Sequence, residues 1–266
     1  MNIEVFVADA FIGPACKGNP AGICKPIAGL TDTDFQKIAT KVGASETAFI
    51  LNENNKYKIR WFTPEVEVDL CGHATLAAAA WVFNHPEYGV VNEIVFESIS
   101  GPLHCFKKSN GAIEIDLPEL PVQEAVPEEG LLAALGICDP IFVGKSKGYF
   151  LIEVSDPSII LKLKPRFNEM KELNTPGAFV TSKGYAPFDF VSRCFFPKEG
   201  IPEDPVTGSA HCSLGPFWRR KLSKDVLSAR QASQRGGDIL IRFGDTRVIL
   251  GGLVRLHLRP VVLSSD

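Results

Sequence analysis

Residues 60–64 read RWFTP, and residues 193–197 read RCFFP, 133 positions further along a chain of 266. The spacing is half the chain, so the match is read as one side of an internal duplication. Working outward, TAFIL (47–51) resembles GAFVT (177–181), and LTDTDFQKIATKVG (30–43) answers LKLKPRFNEMKELN (161–174). Downstream, DLCGHATLAAAAW (69–81) lines up with DPVTGSAHCSLGPFW (204–218). Each is an acidic residue, a glycine, then small residues running to a tryptophan. Four matches in the same order predict two α+β halves of roughly 120 residues, each running strand, helix, strand, strand, helix.

In the first helix of the pattern Phe35, Ile38, Ala39 and Val42 fall on one face, and Thr31 or Asp32 stands ready to cap it. Phe167, Met170 and Asn174 hold a weaker stripe in the second. The acidic, proline-rich LPELPVQEAVPEEG (117–130) reads as the linker. Strands are expected at NEIVFES, GPLHCFKK and GAIEIDL, then at GGDILIRFG and RVILGGLVRLHL. KGNPAGIC (17–24) reads as an insertion present in the first half only. The expected division is 1–118 and 119–254, with a last strand at 255–266 crossing back onto the first half.

Charges of both signs are mixed, with a formal net charge of −3. That excludes a broad nucleic-acid or anionic-membrane surface. The longest apolar run is far short of the roughly 20 residues that span a bilayer. Seven scattered cysteines without a CxxC pair fit reduced thiols. The acidic start MNIEVFVADAF has no basic region ahead of an apolar one. A cytoplasmic protein is expected.

The chemistry gathers around the two glycine motifs. Cys71, Gly72 and His73 at the head of an alanine run could be metal ligands, a thiol with its base, or a helix start. Cys71 and His73 are too close in sequence to suit two ligands of one tetrahedral zinc, and no other Cys/His pair completes a set, so no metal is expected. A cysteine at a helix N-terminus has a lowered pKa and can act as a base. A two-thiol epimerase would need a second cysteine at Thr207, whose hydroxyl cannot serve. Gly72, and Gly208 beside Ser209, head equivalent helices. Helix starts offer unpaired N–H groups and roughly half a positive charge, a seat for a carboxylate in the cleft expected of a duplicated pair. The alternative is two tight turns into packed helices.

Glu46, in GASETAFI, is the other proton acceptor. Alanine and phenylalanine neighbours are expected to desolvate it and raise its pKa toward neutrality; otherwise it is a solvated glutamate at a strand entrance. Asp204 anchors a substrate amine or hydroxyl, or opens an Asp-Pro turn before a helix capped by Thr207 or Ser209. His73 donates to a substrate oxygen or caps its own helix. RQASQRGGDI (230–239), with a Gly-Gly turn beside two arginines, reads as a hairpin entrance or, second to that, another anion contact. No phosphate loop or dinucleotide fingerprint is present, so no nucleotide cofactor is expected.

Taken in order, GNPAGIC, SETAFI, RWFTPEVEVDLCGHATLAAAAWVF, EDPVTGSAHC and QRGGDI resemble the PhzF-type, phenazine-biosynthesis-like family over nearly the whole chain. The resemblance implies a diaminopimelate-epimerase-like fold, in which two pseudo-symmetric halves each wrap a β-sheet around a central α-helix. It also implies homodimers, no metal or organic cofactor, and isomerisation by proton transfer at carbon. The family's acid/base glutamate falls on Glu46, its helix-start histidine on His73, and its aspartate and serine on Asp204 and Ser209. Cys71 stands where epimerase relatives carry one of two catalytic cysteines, with Thr207 in place of the other. The expected protein is a cofactor-independent isomerase of a small carboxylate-bearing metabolite. Glu46, His73 and Asp204 are its catalytic residues, and Asn19, Cys71, Gly72, Thr207, Gly208 and Ser209 bind the substrate. A non-catalytic binding protein with the same fold is the alternative, and a racemase follows it.

Overall fold

Arg60 lies on a strand spanning Lys56–Phe62 and Arg193 on one spanning Phe190–Phe196, and the elements around them follow one order twice. The computed structural model describes residues 2–25, 29–53, 56–257 and 259–264. It divides into two units. Unit 1 is Met1–Asp116 with Gly251–Asp266, and unit 2 is Leu117–Leu250.

Unit 1 begins β1 (Asn2–Ile12), β2 (Asn19–Cys24), α1 (Asp32–Val42), β3 (Glu46–Glu53) and β4 (Lys56–Phe62). It continues β5 (Glu67–Val68), α2 (Gly72–Asn84), β6 (Glu93–Ser98), β7 (Gly101–Lys107) and β8 (Ile113–Pro118), whose last two residues belong to unit 2. Unit 2 runs β9 (Gln123–Glu124), α3 (Leu131–Leu135), β10 (Phe142–Ser146), β11 (Tyr149–Glu153), α4 (Pro157–Lys162), α5 (Phe167–Glu172) and β12 (Ala178–Lys183). Then come β13 (Phe190–Phe196), β14 (Ile201–Asp204), α6 (Gly208–Leu222), β15 (Val226–Gln231) and β16 (Gly237–Phe243). The chain returns to unit 1 within β17 (Arg247–Leu256) and ends in β18 (Val261–Ser264).

Pairing directions repeat. In unit 1, β1–β2 is antiparallel, β2–β3 parallel, β3–β4 antiparallel, β4–β6 parallel and β6–β7 antiparallel. In unit 2, β10–β11, β11–β12, β12–β13, β13–β15 and β15–β16 follow the same series. Arg60 Nε and Nη2 each donate to Glu67 at 2.7 Å, and Arg193 grips Glu203 the same way at 2.6 and 2.9 Å. Each guanidinium also lies over the phenylalanine two residues on, 5.1 Å from Phe62 and 5.0 Å from Phe195. Glutamate on the short strand neutralises arginine on the long one, and the ring covers the planar cation. The repeated RxF is thus a clasp used twice.

α2 is buried from Gly72 through Phe83 and packs against β1, β2, β3 and β7. A helix apolar on every side belongs inside, and Ala74, Ala77, Ala78 and Ala79, all fully buried, let the surrounding strands approach closely. Burying Leu76 or Val82 contributes about 1.5–3 kcal/mol each. In α6, Gly208 and Ala210–Trp218 are buried before the exposed basic end at Arg220 and Lys221. A Cβ at Gly215 would stand 3.0 Å from Ile241 Cγ2, a tight contact that the Ile241 side chain would have to ease. α1 covers the outside of its sheet. Thr31 and Asp34 form its capping box, and Phe35 stacks on Phe49 with ring centres 4.6 Å apart.

The structure corrects four readings. KGNPAGIC is no insertion, because its strand β2 occupies the position that β11 holds in unit 2. Residues 117–130 are no free linker. Leu117 is fully buried, β9 pairs with β10, and Glu128 accepts bonds from the backbone N–H groups of Asn174 and Thr175. The segment 161–174 holds the end of α4 and all of α5 rather than one helix, because Pro165 lacks an N–H and forces the preceding residue out of helical conformation. Asn174 lies beyond α5. Finally, Trp61 pairs with Val68 where Cys194 pairs with Asp204, so the ladder counterpart of Asp204 is Val68, not Asp69. Among the described residues, no helix is long and apolar enough to cross a membrane.

Candidate active site

In unit 1, the parallel pairing of Ala21 with Glu46 sets the start of β2 beside the entrance to β3. Ser45 bridges them, its hydroxyl 3.1 Å from Asn19 Oδ1 and 3.0 Å from the Pro20 carbonyl. The start of α2 brings His73 to the same place. Its Nε2 lies 3.2 Å from Glu46 Oε2 and 3.3 Å from Ser45 Oγ, and its Nδ1 lies 3.4 Å from Cys71 Sγ. The His73 side chain is 4% exposed and that of Glu46 13%.

This packing settles the charges. Burial raises the Glu46 pKa, but the charge of His73 and the contacts of His73 and Ser45 outweigh it and hold the carboxyl below its ordinary value. The expected rise toward neutrality is therefore wrong, because desolvation meets a cation at 3.2 Å. Burial opposes the His73 imidazolium as well, and Cys71 and Glu46 together carry its pKa well above the usual histidine range. Cys71 also departs from expectation. Burial, then the nearby Glu46 charge, push its thiol up, and together they outweigh the lowering pull of His73 and the Ala74 N–H. The shifts favour a carboxylate at Glu46, an imidazolium at His73 and a thiol at Cys71.

Glu46, Cys71 and His73 present their ligand-type atoms within 4.8 Å of one another. Within this cluster His73 turns a different nitrogen toward each partner, Nε2 to Glu46 and Nδ1 to Cys71.

In unit 2, Asp204 closes β14 and Thr207 precedes α6. The Thr207 hydroxyl donates to Asp204 Oδ2 at 2.5 Å instead of capping the helix. Cys71 likewise supplies no side-chain cap to α2. Gln231, fully buried at the end of β15, ties the loop together. It accepts from the Thr207 N–H at 2.8 Å and donates to the Asp204 carbonyl at 2.7 Å. Gly208 opens α6, with Ser209 half-buried on its first turn. His211 is a core residue: Nδ1 donates to the Thr207 carbonyl at 2.7 Å, the ring stacks on Phe190, and burial lowers its pKa to about 4.

The structure thus gathers Asn19, Glu46, Cys71, Gly72 and His73 in unit 1, and Asp204, Thr207, Gly208 and Ser209 in unit 2. The sequence reading missed Ser45 and Gln231. Ser45 had a signal in its place beside Glu46; Gln231, 24 residues after Thr207, had only its place before the hairpin turn. The hairpin itself is present, closed by Arg230 on Asp238. Surface clefts of about 290 Å³ at Tyr57 and Tyr88, and about 530 Å³ at Arg219 and Arg220, are lined by none of these site residues.

A sheet wrapped on a buried helix, repeated in two units, is the diaminopimelate-epimerase-like fold. The family model for phenazine biosynthesis-like proteins matches residues 8–252, and the chain belongs to that family. It is 43% identical over 265 residues to an uncharacterized isomerase of Halalkalibacterium halodurans, covering 99% of each chain. It is 36% identical over 278 residues to the human phenazine biosynthesis-like domain-containing protein, covering 95% of this chain and 96% of that one. The crystal structure of a PhzF-family protein from Enterococcus faecalis superposes with a TM-score of 0.91 at 38% identity, covering 100% of both chains.

Proposed function

We propose that the chain is a cofactor-independent isomerase in which Glu46 removes a proton from carbon in a small carboxylate-bearing substrate and returns it elsewhere on the same face. The observation that carries this reading is the buried Glu46 carboxylate, 3.2 Å from His73 Nε2. An ionised carboxylate is the form that accepts a proton. Held below its ordinary pKa it is a weak base, so the substrate C–H must be acidified by conjugation to a carboxylate or carbonyl. His73, charged and buried, stabilises negative charge as it develops and keeps Glu46 ionised until substrate arrives. The uncapped starts of α2 and α6 leave first-turn N–H groups for anionic oxygens, and Asp204 anchors a polar substituent. A thiol base has less support, since the Cys71 thiol is pushed up rather than down. Homologues named as isomerases support the reaction class.

The test is solvent exchange. Unsaturated and keto carboxylates incubated with the protein in D₂O are followed by proton NMR. Deuterium should enter at carbon with wild type and Cys71→Ser, but not with Glu46→Gln, which keeps the volume and loses the base. Exchange that persists in Glu46→Gln and disappears in Cys71→Ser would make this a thiol enzyme.

A further inference from the structure

His73 has two nitrogens in one buried site, and their neighbours are of different kinds. Nε2 faces the Glu46 carboxylate and the Ser45 oxygen. The single Ser45 proton has acceptors in Asn19 Oδ1 and the Pro20 carbonyl, so its oxygen accepts on the other side. Nε2 is therefore a donor whatever the charge of the ring. Nδ1 faces Cys71 Sγ at 3.4 Å, and a thiol both donates and accepts.

We infer that Cys71 is a positioning residue that lets His73 change charge without leaving either ring nitrogen unpaired. With the ring neutral, the S–H donates to Nδ1 and Nε2 keeps its hydrogen toward Ser45 Oγ, with the Glu46 carboxylate 3.2 Å away. With the ring protonated, Nδ1–H donates to sulfur and the thiol hydrogen turns away. One rotation about the C–S bond serves both states, and no heavy atom moves. Neither a carboxylate nor an amide in place of Cys71 combines both roles in one atom. Glu46 from β3 and Cys71 from the turn before α2 are the titratable groups that act on this ring, and their influence on its pKa agrees with the geometry.

The inference deepens the proposed acid–base role, since it concerns how His73 is held beside the proposed base. Its test reads the ring and not turnover, so the two readings can fail separately. Protein carrying ¹⁵N-labelled histidine is titrated by NMR, following the His73 resonances in wild type, Cys71→Ser and Cys71→Ala. Wild type should show a neutral form with hydrogen on Nε2. Cys71→Ser, whose hydroxyl also donates and accepts, should keep that tautomer and a midpoint within about half a pH unit. Cys71→Ala should lower the midpoint by about one pH unit or more, because a buried imidazolium N–H loses its acceptor. Cys71→Val replaces Ala if that variant does not fold. An unchanged midpoint in the apolar variant, a neutral wild-type ring with hydrogen on Nδ1, or a ring that keeps one charge from about pH 5 to 10 overturns the inference.

Discussion

Glu46 and His73 stabilise each other only while both are charged, so this pair makes stability depend on pH. The lowered Glu46 pKa contributes stability above about 4.5, which is lost as pH falls through the folded value. The raised His73 pKa contributes fully below about 6.5, and that part is lost as pH rises through the folded value. The stability gap between wild type and Glu46→Gln should therefore be widest between about pH 4.5 and 6.5, at about 1–3 kcal/mol, and narrow on both sides. Urea unfolding at a series of pH values measures it, and a flat gap would show that the pair is not charged. The glycines make a separate prediction. Gly72→Val or Gly208→Val places a branched side chain at an uncapped helix start. Either folded variant should lose at least about tenfold in affinity for small carboxylates by calorimetry if those N–H groups hold an anion. Much of this was legible in the sequence, because Glu46, His73 and the glycines sit in short contiguous motifs. The charge of Glu46 was not. Its apolar neighbours are adjacent in sequence, whereas the cation that overrides them comes from another element.

At the scale of elements, the two arginine clasps look alike but carry different loads. Arg193, 12% exposed, also donates Nη1 to the carbonyls of Ile160 and Leu163 and so holds the C-terminal end of α4 to β13. Arg60, 28% exposed, adds the exposed Asp32 and lies 5.4 Å from the Phe35 ring. Arg193→Ala leaves a half-buried carboxylate and two carbonyls without their donor and should cost about 2–4 kcal/mol in denaturant unfolding. Arg60→Ala should cost about 1 kcal/mol. Equal losses would mean that the carbonyl contacts contribute nothing. The arginine and phenylalanine of each clasp were legible as a repeated RxF, but the glutamates were not, since Glu67 lies 7 residues after Arg60 and Glu203 lies 10 after Arg193. The match of β2 with β11 was not, since NPAGIC and YFLIE share a ladder position without sharing a residue requirement. Glu46 has a related history. Its ladder counterpart is Gly177, where a Cβ would stand 2.4 Å from the Phe195 carbonyl, so the second copy of the fold has no room for a side chain there.

Across the whole molecule the two units differ in how the chain supplies them. Unit 2 is one continuous stretch, while unit 1 is completed by Gly251–Asp266. β1 pairs with β17 at Ala8–Ile12 and with β18 at Asn2–Val5. Residues 117–250 expressed alone should therefore unfold cooperatively in urea. Residues 1–116 alone should not, because one edge of β1 then lacks both partner strands. Cooperative unfolding of the second fragment would show that the returning strands are dispensable. In a cell the same connectivity sets a timetable. β1 is made well before the strands that cover it, since 241 residues separate Ile12 from Leu253 (253 − 12) and 262 separate Asn2 from Ser264 (264 − 2). The half of the chain synthesised second is complete first. Until β17 and β18 are made, β1 waits with an open edge, and that interval exposes the chain to mispairing and capture by chaperones.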